Sequence, residues 1–479
     1  MTIRERALPF ALIAGAALLC ALYPLSAYAV DPLALPAVLV ALAGAALVIR
    51  SPAYGIAIAA ALAPLINTVL SSGGGGFAGQ PLQVLVPALA VGTLVYGLLV
   101  SSSWEMGRET RLLAIAIAIF TTVALVASAQ ALEPGESVAK VLLVITAAAL
   151  FAAARQVCTE RHQQLIVIGG VVAGLLAASL QGVVQHFLGI FSTEGFVADF
   201  EVVGRVQGSF GHPNLYAGYL ATLLPVAIAV GINRRFPTAL RWLGYAAAAA
   251  ALPALYFTFA RGATIGLVGG AIIWFAVMRP RLAIAVGLAT FAIATFAVPA
   301  TLKERFDPEA SGSDVTLRSD IWKSALDIYG DHPLLGVGVN NFAVAYERLP
   351  AVTDAGSQRR LLHQDLLLIP PHPQSIYLQS LAEQGLAGIV ALLGLIAAAL
   401  VVLVRAARGR DDLARMLGFS VGIGFTGILI HGFLEVPLLG EVMLPMFILL
   451  AVTAAAHERS GGEDDEGEGD ADAALSGAA

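Results

Sequence analysis

The chain has 479 residues, 58% of them hydrophobic and only 13% charged, with a mean hydropathy of +0.82. That composition excludes an ordinary soluble globular protein. The formal net charge is −6, and nucleic acid is not among the expected partners.

In chain order, apolar segments run at about 8–28, 33–49, 54–71, 81–100, 111–131, 136–154, 163–188, 214–232, 239–260, 262–278, 281–299, 374–404, 413–432 and 437–456. Each is near the ~20 residues that a helix needs to cross a bilayer. The expected fold is all-α, a polytopic transmembrane helix bundle with about 12–14 spans. Arginines set its orientation. With Met1 inside, Arg50, Arg108, Arg111, Arg155, Arg161, Arg234, Arg235, Arg241, Arg279, Arg281, Arg405, Arg408, Arg410 and Arg415 all fall on the cytoplasmic side. The protein is therefore expected in the cell inner (plasma) membrane as a multi-pass chain. MTIRER, the first apolar stretch and Ala27-Tyr28-Ala29 also fit a cleavable signal peptide. Cys20 and Cys158 offer no disulfide framework. The C-terminal GGEDDEGEGDADAALSGAA lacks apolar residues to bury and reads as a disordered cytoplasmic tail.

Two segments interrupt the short loops, at about 189–213 and 300–371, and both fall on the outer side. In the second, Ser313 or Asp314 can cap a helix that runs to Gly330 and carries Arg318. HPLLGVGVNNF then reads as a compact, turn-rich link. There is no internal repeat, and no pair of broken helices of the transporter kind.

The polar inventory of the outer side is rich in histidine: His186, His212, His332, His363, His372 and His431. From Trp242 to Met278 the only charged residue is Arg261, in LYFTFARGATIGLVGG. A guanidinium at that depth is either an interfacial anchor or a ligand for an anion. Arg318 and Arg205 pose the same choice, as solvated charges or as anion ligands whose fork fits phosphate oxygens. In PPHPQSIYLQSLAEQGLAG, Pro373 suits a first helical turn. Gln374, Leu378, Leu381, Gly385 and Gly388 then share one helix face, where the glycines allow a neighbouring helix close. The start of that helix, with His372, Gln374 and Ser375, is a natural anion site at the outer surface. Glu383 falls a few turns deeper and needs a partner. The sequence has no HExxH, P-loop, GxSxG or cysteine cluster. A metal site from His363, Asp365 and His372 is not the adopted reading.

Three segments together resemble the O-antigen ligase and O-antigen polymerase superfamily of bacterial membrane proteins. They are RVQGSFGHPNLYAGYLATLLPVAIA, then FARGATIGL with Ala260 in the family's serine position, then LRSDIWKSALDIYGDHPLLGVGVNNF followed by HPQSIYLQSLAEQGLAG. The resemblance covers about 200–400 and divides the chain into three parts. Residues 1–190 are N-terminal transmembrane helices, 191–456 an O-antigen ligase-like transmembrane domain with the extracytoplasmic loop 300–371, and 457–479 the acidic tail.

The resemblance implies a metal-independent glycosyltransferase without cofactor. Its donor is an undecaprenyl-pyrophosphate-linked glycan, and its acceptor is a glycan, lipid or protein at the periplasmic or extracellular face. Arg261 and Arg318 match the family's two important arginines. Arg205, Asn214, Gln374, Ser375 and Tyr377 are expected to bind substrate. The family's His-Asn pair falls on Gln374 and Ser375, and glutamine cannot serve as a general base. His372, two residues earlier, is the candidate catalytic base. The competing readings are a flippase or exporter for lipid-linked oligosaccharide, and an inactive relative that binds glycolipid.

Overall fold

The computed structural model describes residues 51–65, 81–100, 106–189, 205–279, 281, 312–353, 362–363, 366–367, 370–440 and 442–476. The spans expected at 8–28, 33–49 and nearly all of 281–299 lie outside these residues, as does Asp365. The described helices are α1 (Pro52–Leu62), α2 (Pro81–Val100), α3 (Arg108–Ala129), α4 (Pro134–Val157), α5 (Arg161–Leu188), α6 (Pro213–Ile232), α7 (Thr238–Thr258) and α8 (Arg261–Met278). They continue with α9 (Gly312–Asp331), α10 (Phe342–Arg348), α11 (Pro350–Thr353), α12 (Ile376–Arg408), α13 (Asp412–His431) and α14 (Met443–Ser476). A minimal antiparallel pair joins β1 (Leu362–His363) to β2 (Leu366–Leu367).

Seven of the described helices are long and apolar enough to cross a membrane: α3, α4, α5, α6, α8, α12 and α13. The protein is thus an all-α polytopic bundle. Helix α9 begins within two residues of the expected Ser313 or Asp314 start. Helix α14 runs on to Ser476, into the acidic stretch for which disorder was expected. Extending an existing helix needs no new nucleation.

Close glycine packing sets the register of α8 against α13. A Cβ on Gly266 would stand 2.3 Å from the Gly427 carbonyl oxygen, and one on Gly270 would stand 2.4 Å from that of Ile423. Small residues at a four-residue spacing let backbones meet where lipid offers no hydrophobic drive to associate. The same contact seats Gly262, next to Arg261, against the His431 ring.

Helix α12 is broken at Gly385, where φ is 64° and ψ is −157°. In an unbroken helix, Leu386 and Ala387 would donate to the carbonyls of Ala382 and Glu383. Here they donate to Pro333 (2.8 Å) and Leu334 (3.1 Å). The two released carbonyls accept from Val337 (3.1 Å) and Gly338 (2.9 Å). The loop thus enters the helix ladder without orphaning these backbone groups. A Cβ at Gly385 would lie 2.4 Å from the Leu334 carbonyl carbon, and one at Gly336 would lie 2.3 Å from that of Glu383. The expected helix-packing face at Gly385 is therefore a loop-packing site, because the intruding chain is a turn whose backbone groups need partners.

That loop anchors a small second core of Ile321, Ile328, Val337, Phe342, Tyr346 and Ala382. Asn341 ties the loop to the start of α4, since its Oδ1 accepts from Glu133 N (2.7 Å) and its Nδ2 donates to Ser137 Oγ (3.0 Å). The segment carrying Arg318 is consequently fastened to both α4 and α12.

Candidate functional site

The site lies where α6 and α12 begin and α13 ends. Two of its histidines repeat one local motif. In His212-Pro213-Asn214 and His372-Pro373-Gln374 each proline starts or approaches a helix, and the histidine Nδ1 accepts the N–H two residues on. The distances are 3.1 Å from Asn214 and 3.2 Å from Gln374. An imidazole whose Nδ1 accepts carries its proton on Nε2 when neutral. Gln374 holds φ at 51°, a left-handed conformation uncommon outside glycine that marks local strain.

Both motifs converge on Glu435, which is 2% exposed and follows α13 directly. Asn214 Nδ2 donates to Glu435 Oε2 (2.9 Å), and Glu435 Oε1 accepts from Val436 N (3.1 Å). His372 Nε2 stands 3.6 Å from Oε1, and His212 Nδ1 stands 3.8 Å from Oε2. Burial raises the Glu435 carboxyl, but the imidazoles of His372 and His212 and the Asn214 amide outweigh it and hold the group below the usual carboxylate range. For His372 and His212 burial is the larger influence. It holds both below the ordinary histidine value despite the opposite pull of Glu435.

Arginines border this carboxylate. Arg205 Nε donates to the Thr258 carbonyl (2.6 Å) and its Nη2 to Asn214 Oδ1 (2.7 Å), so one guanidinium orients the amide that binds Glu435. Arg318 Nη1 reaches the Leu434 carbonyl at 3.3 Å, and its charge is felt by His212 and by His431. Arg261 is the first residue of α8, half-buried, one residue from the Gly262 contact with His431. His431 is 3% exposed, and its Nδ1 has no hydrogen-bond partner among the described residues.

Arg205, Asn214, Arg318 and His372 are therefore brought together, with Arg261 adjoining. Ser375 is buried at the N-cap of α12, where Ile376 N donates to the Gly432 carbonyl (2.9 Å). Gln374 Oε1 is buried and has no hydrogen-bond partner among the described residues. Tyr377 faces α13 instead. Its hydroxyl donates to the Leu429 carbonyl (3.1 Å), and its ring lies 4.6 Å from that of Phe433. Sequence reasoning missed Glu435 altogether and gave His212 and His431 no individual role. The available signal was HGFLEVP, a histidine and a carboxylate four residues apart at the end of a span.

A membrane-embedded helix bundle with a charged, histidine-rich polar cluster at one end is the class that fold and site define. Residues 246–393 match the family model described as O-antigen ligase. Over that stretch, about a third of the chain, the protein is similar to the O-antigen ligase family. The matched stretch contains Arg261, Arg318, His372 and Gln374, whereas Arg205, His212, Asn214, His431 and Glu435 lie outside it. No curated protein matches the chain.

Proposed function

We propose that the protein transfers a glycan from an undecaprenyl-pyrophosphate carrier to a hydroxyl of a glycan, lipid or protein acceptor, at the outer face of the plasma membrane. The observation that carries this reading is the Glu435 cluster, a buried carboxylate bordered by arginines at one end of a spanning bundle.

The chemistry follows from charge. As the bond from sugar C1 to the pyrophosphate oxygen breaks, negative charge builds on the leaving group. Arg261, Arg318 and Arg205 stabilise that charge from fixed positions. The attacking hydroxyl loses a proton as its oxygen bonds to C1. In His372, Nδ1 is occupied by the Gln374 amide and Nε2 faces Glu435, so the base role passes to the ionised Glu435 carboxylate. His372, Asn214 and the Val436 amide orient it. Carboxylates serve this purpose in glycoside chemistry. Depressed pKa values keep the carboxylate charged and the imidazoles neutral near pH 7. The spanning helices hold the catalyst level with a donor that does not leave the bilayer.

The test is release of undecaprenyl pyrophosphate from an undecaprenyl-pyrophosphate oligosaccharide by the full chain in vesicles, in the presence of EDTA. Release that requires Glu435 and both Arg261 and Arg318 supports the reading. Movement of intact donor across the bilayer without release would replace it with a flippase.

A further inference from the structure

The Glu383 side chain is 1% exposed and sits in the last turn of α12 before the break. Its Oε2 accepts from Gln379 Nε2 (3.2 Å), while Oε1 has no protein hydrogen bond among the described residues. The backbone N–H groups of Asn340 and Phe342 face the carboxyl. Asn340 has a φ of 62° and Asn341 a φ of −106° with ψ of 8°, and Phe342 opens α10. A left-handed residue followed by a near-helical one turns successive N–H groups into a concave anion seat, a nest. A free anion fills many such seats. Here the chain itself supplies a carboxyl group, from the helix that the same loop has entered. Lys140 of α4 lies within electrostatic reach of both Glu383 and His372.

Resting on the transferase reading, we propose that Glu383 is a positioning residue whose buried carboxyl group, facing the Asn340–Phe342 turn, locks the loop into the α12 break and so fixes Arg318 relative to Glu435. The mechanical link is short. The loop joins α9 to α10, and Ile321 and Ile328 of α9 pack with Val337, Phe342 and Ala382 in the second core. Arg318 stands one turn before Ile321. Asn340 in the left-handed region carries strain, and the seated carboxyl group offsets it.

Two readouts test the proposal on the reconstituted full chain. In hydrogen exchange, Glu383→Gln is expected to speed the amides of 333–342 by tenfold or more and to leave those of α5 and α6 unchanged. In donor turnover, Glu383→Gln is expected to lower kcat about tenfold, and to lower it no further once Arg318→Ala is present, because residues acting through one another are not additive. Glu383→Asp is expected to restore part of both effects. Unchanged exchange at 333–342, or full additivity with Arg318→Ala, overturns the proposal. If wild type releases no carrier pyrophosphate, the transferase reading falls, and the exchange result still decides whether Glu383 holds the loop.

Discussion

Two charge clusters, one at each end of the bundle, are built from different partners. At one end arginines meet carboxylates directly: Arg155 with Glu458, Arg235 with Asp412, Arg405 with Glu109, and Arg459 with Asp411 at 2.8 Å. These pairs join α3, α4, α6–α7, α12, α13 and α14. At the other end Arg348 pairs with Glu133 (3.2 Å), but beside Glu435 Arg205 and Arg318 bond neutral carbonyl oxygens, and the carboxylate itself is held by the Asn214 amide and the Val436 N–H with His372 and His212 nearby. An arginine closed on a carboxylate has its fork used. Arg318, bonded to the neutral Leu434 carbonyl, is not closed on a carboxylate among the described residues. The lesson is that charge count alone does not set the Glu435 cluster apart, whereas the type of partner around it does.

The largest expected effect breaks the comparison at its centre. Glu435→Gln keeps the shape but removes the charge, and turnover should fall by roughly 10²–10⁴-fold, the range of a lost general base. His372→Ala should cost less, because Asn214 and the Val436 amide still orient the carboxylate. Carrier-pyrophosphate release measured on both variants checks that order, and a His372 loss larger than the Glu435 loss would reverse the assignment of the base.

Arginine replacement at each end gives the next contrast. Arg318→Ala and Arg261→Ala should each lower kcat by roughly 10²–10³-fold, the scale of one removed charge-stabilising donor. Arg405→Ala at the opposite end should leave turnover within about twofold and cost under about 1 kcal/mol of stability, as exposed ion pairs do. Equal losses at the two ends would show that partner type does not distinguish them.

A smaller effect is expected from packing. Gly266→Val places side-chain atoms on the Gly427 carbonyl and should destabilise by about 1–3 kcal/mol or separate α8 from α13. The thermal transition reports the first outcome. Loss of donor turnover in protein that remains folded reports the second, since Arg261 would move away from His431.

The smallest effect is the response to acid. His212 and His372 titrate below the ordinary value of 6.5 when folded, so the unfolded chain binds more protons as pH falls. Their contribution to stability is fully present above about pH 6.5 and is lost as pH drops through the lowered folded values. The depressed Glu435 carboxyl adds a loss of the same sign below its ordinary 4.5. The thermal transition of the wild type should fall between pH 7 and 5, and the double change His212→Gln with His372→Gln should flatten that slope.

Much of the architecture is legible in residue order. Apolar length specifies the spans, because a bilayer rewards runs of about 20 apolar residues whatever their neighbours. Arg261 stands out because a lone cation in an apolar stretch is costly, and Arg318 follows from a helix with a recognisable start. His372 and Asn214 are visible as polar residues beside prolines at helix starts. Such local signals depend on residues a few positions apart, and a sequence displays those directly. Glu435 does not have that form. It lies 221 positions from Asn214, and its role comes from three helix ends meeting at one point. The break at Gly385 is equally hidden, since the glycine fits a smooth helix face until a loop about 50 residues earlier supplies the missing hydrogen bonds. The sequence by itself determined the membrane, the spans and the cations. Which carboxylate lies beside those cations emerges from packing, because it depends on distances between segments far apart in the chain.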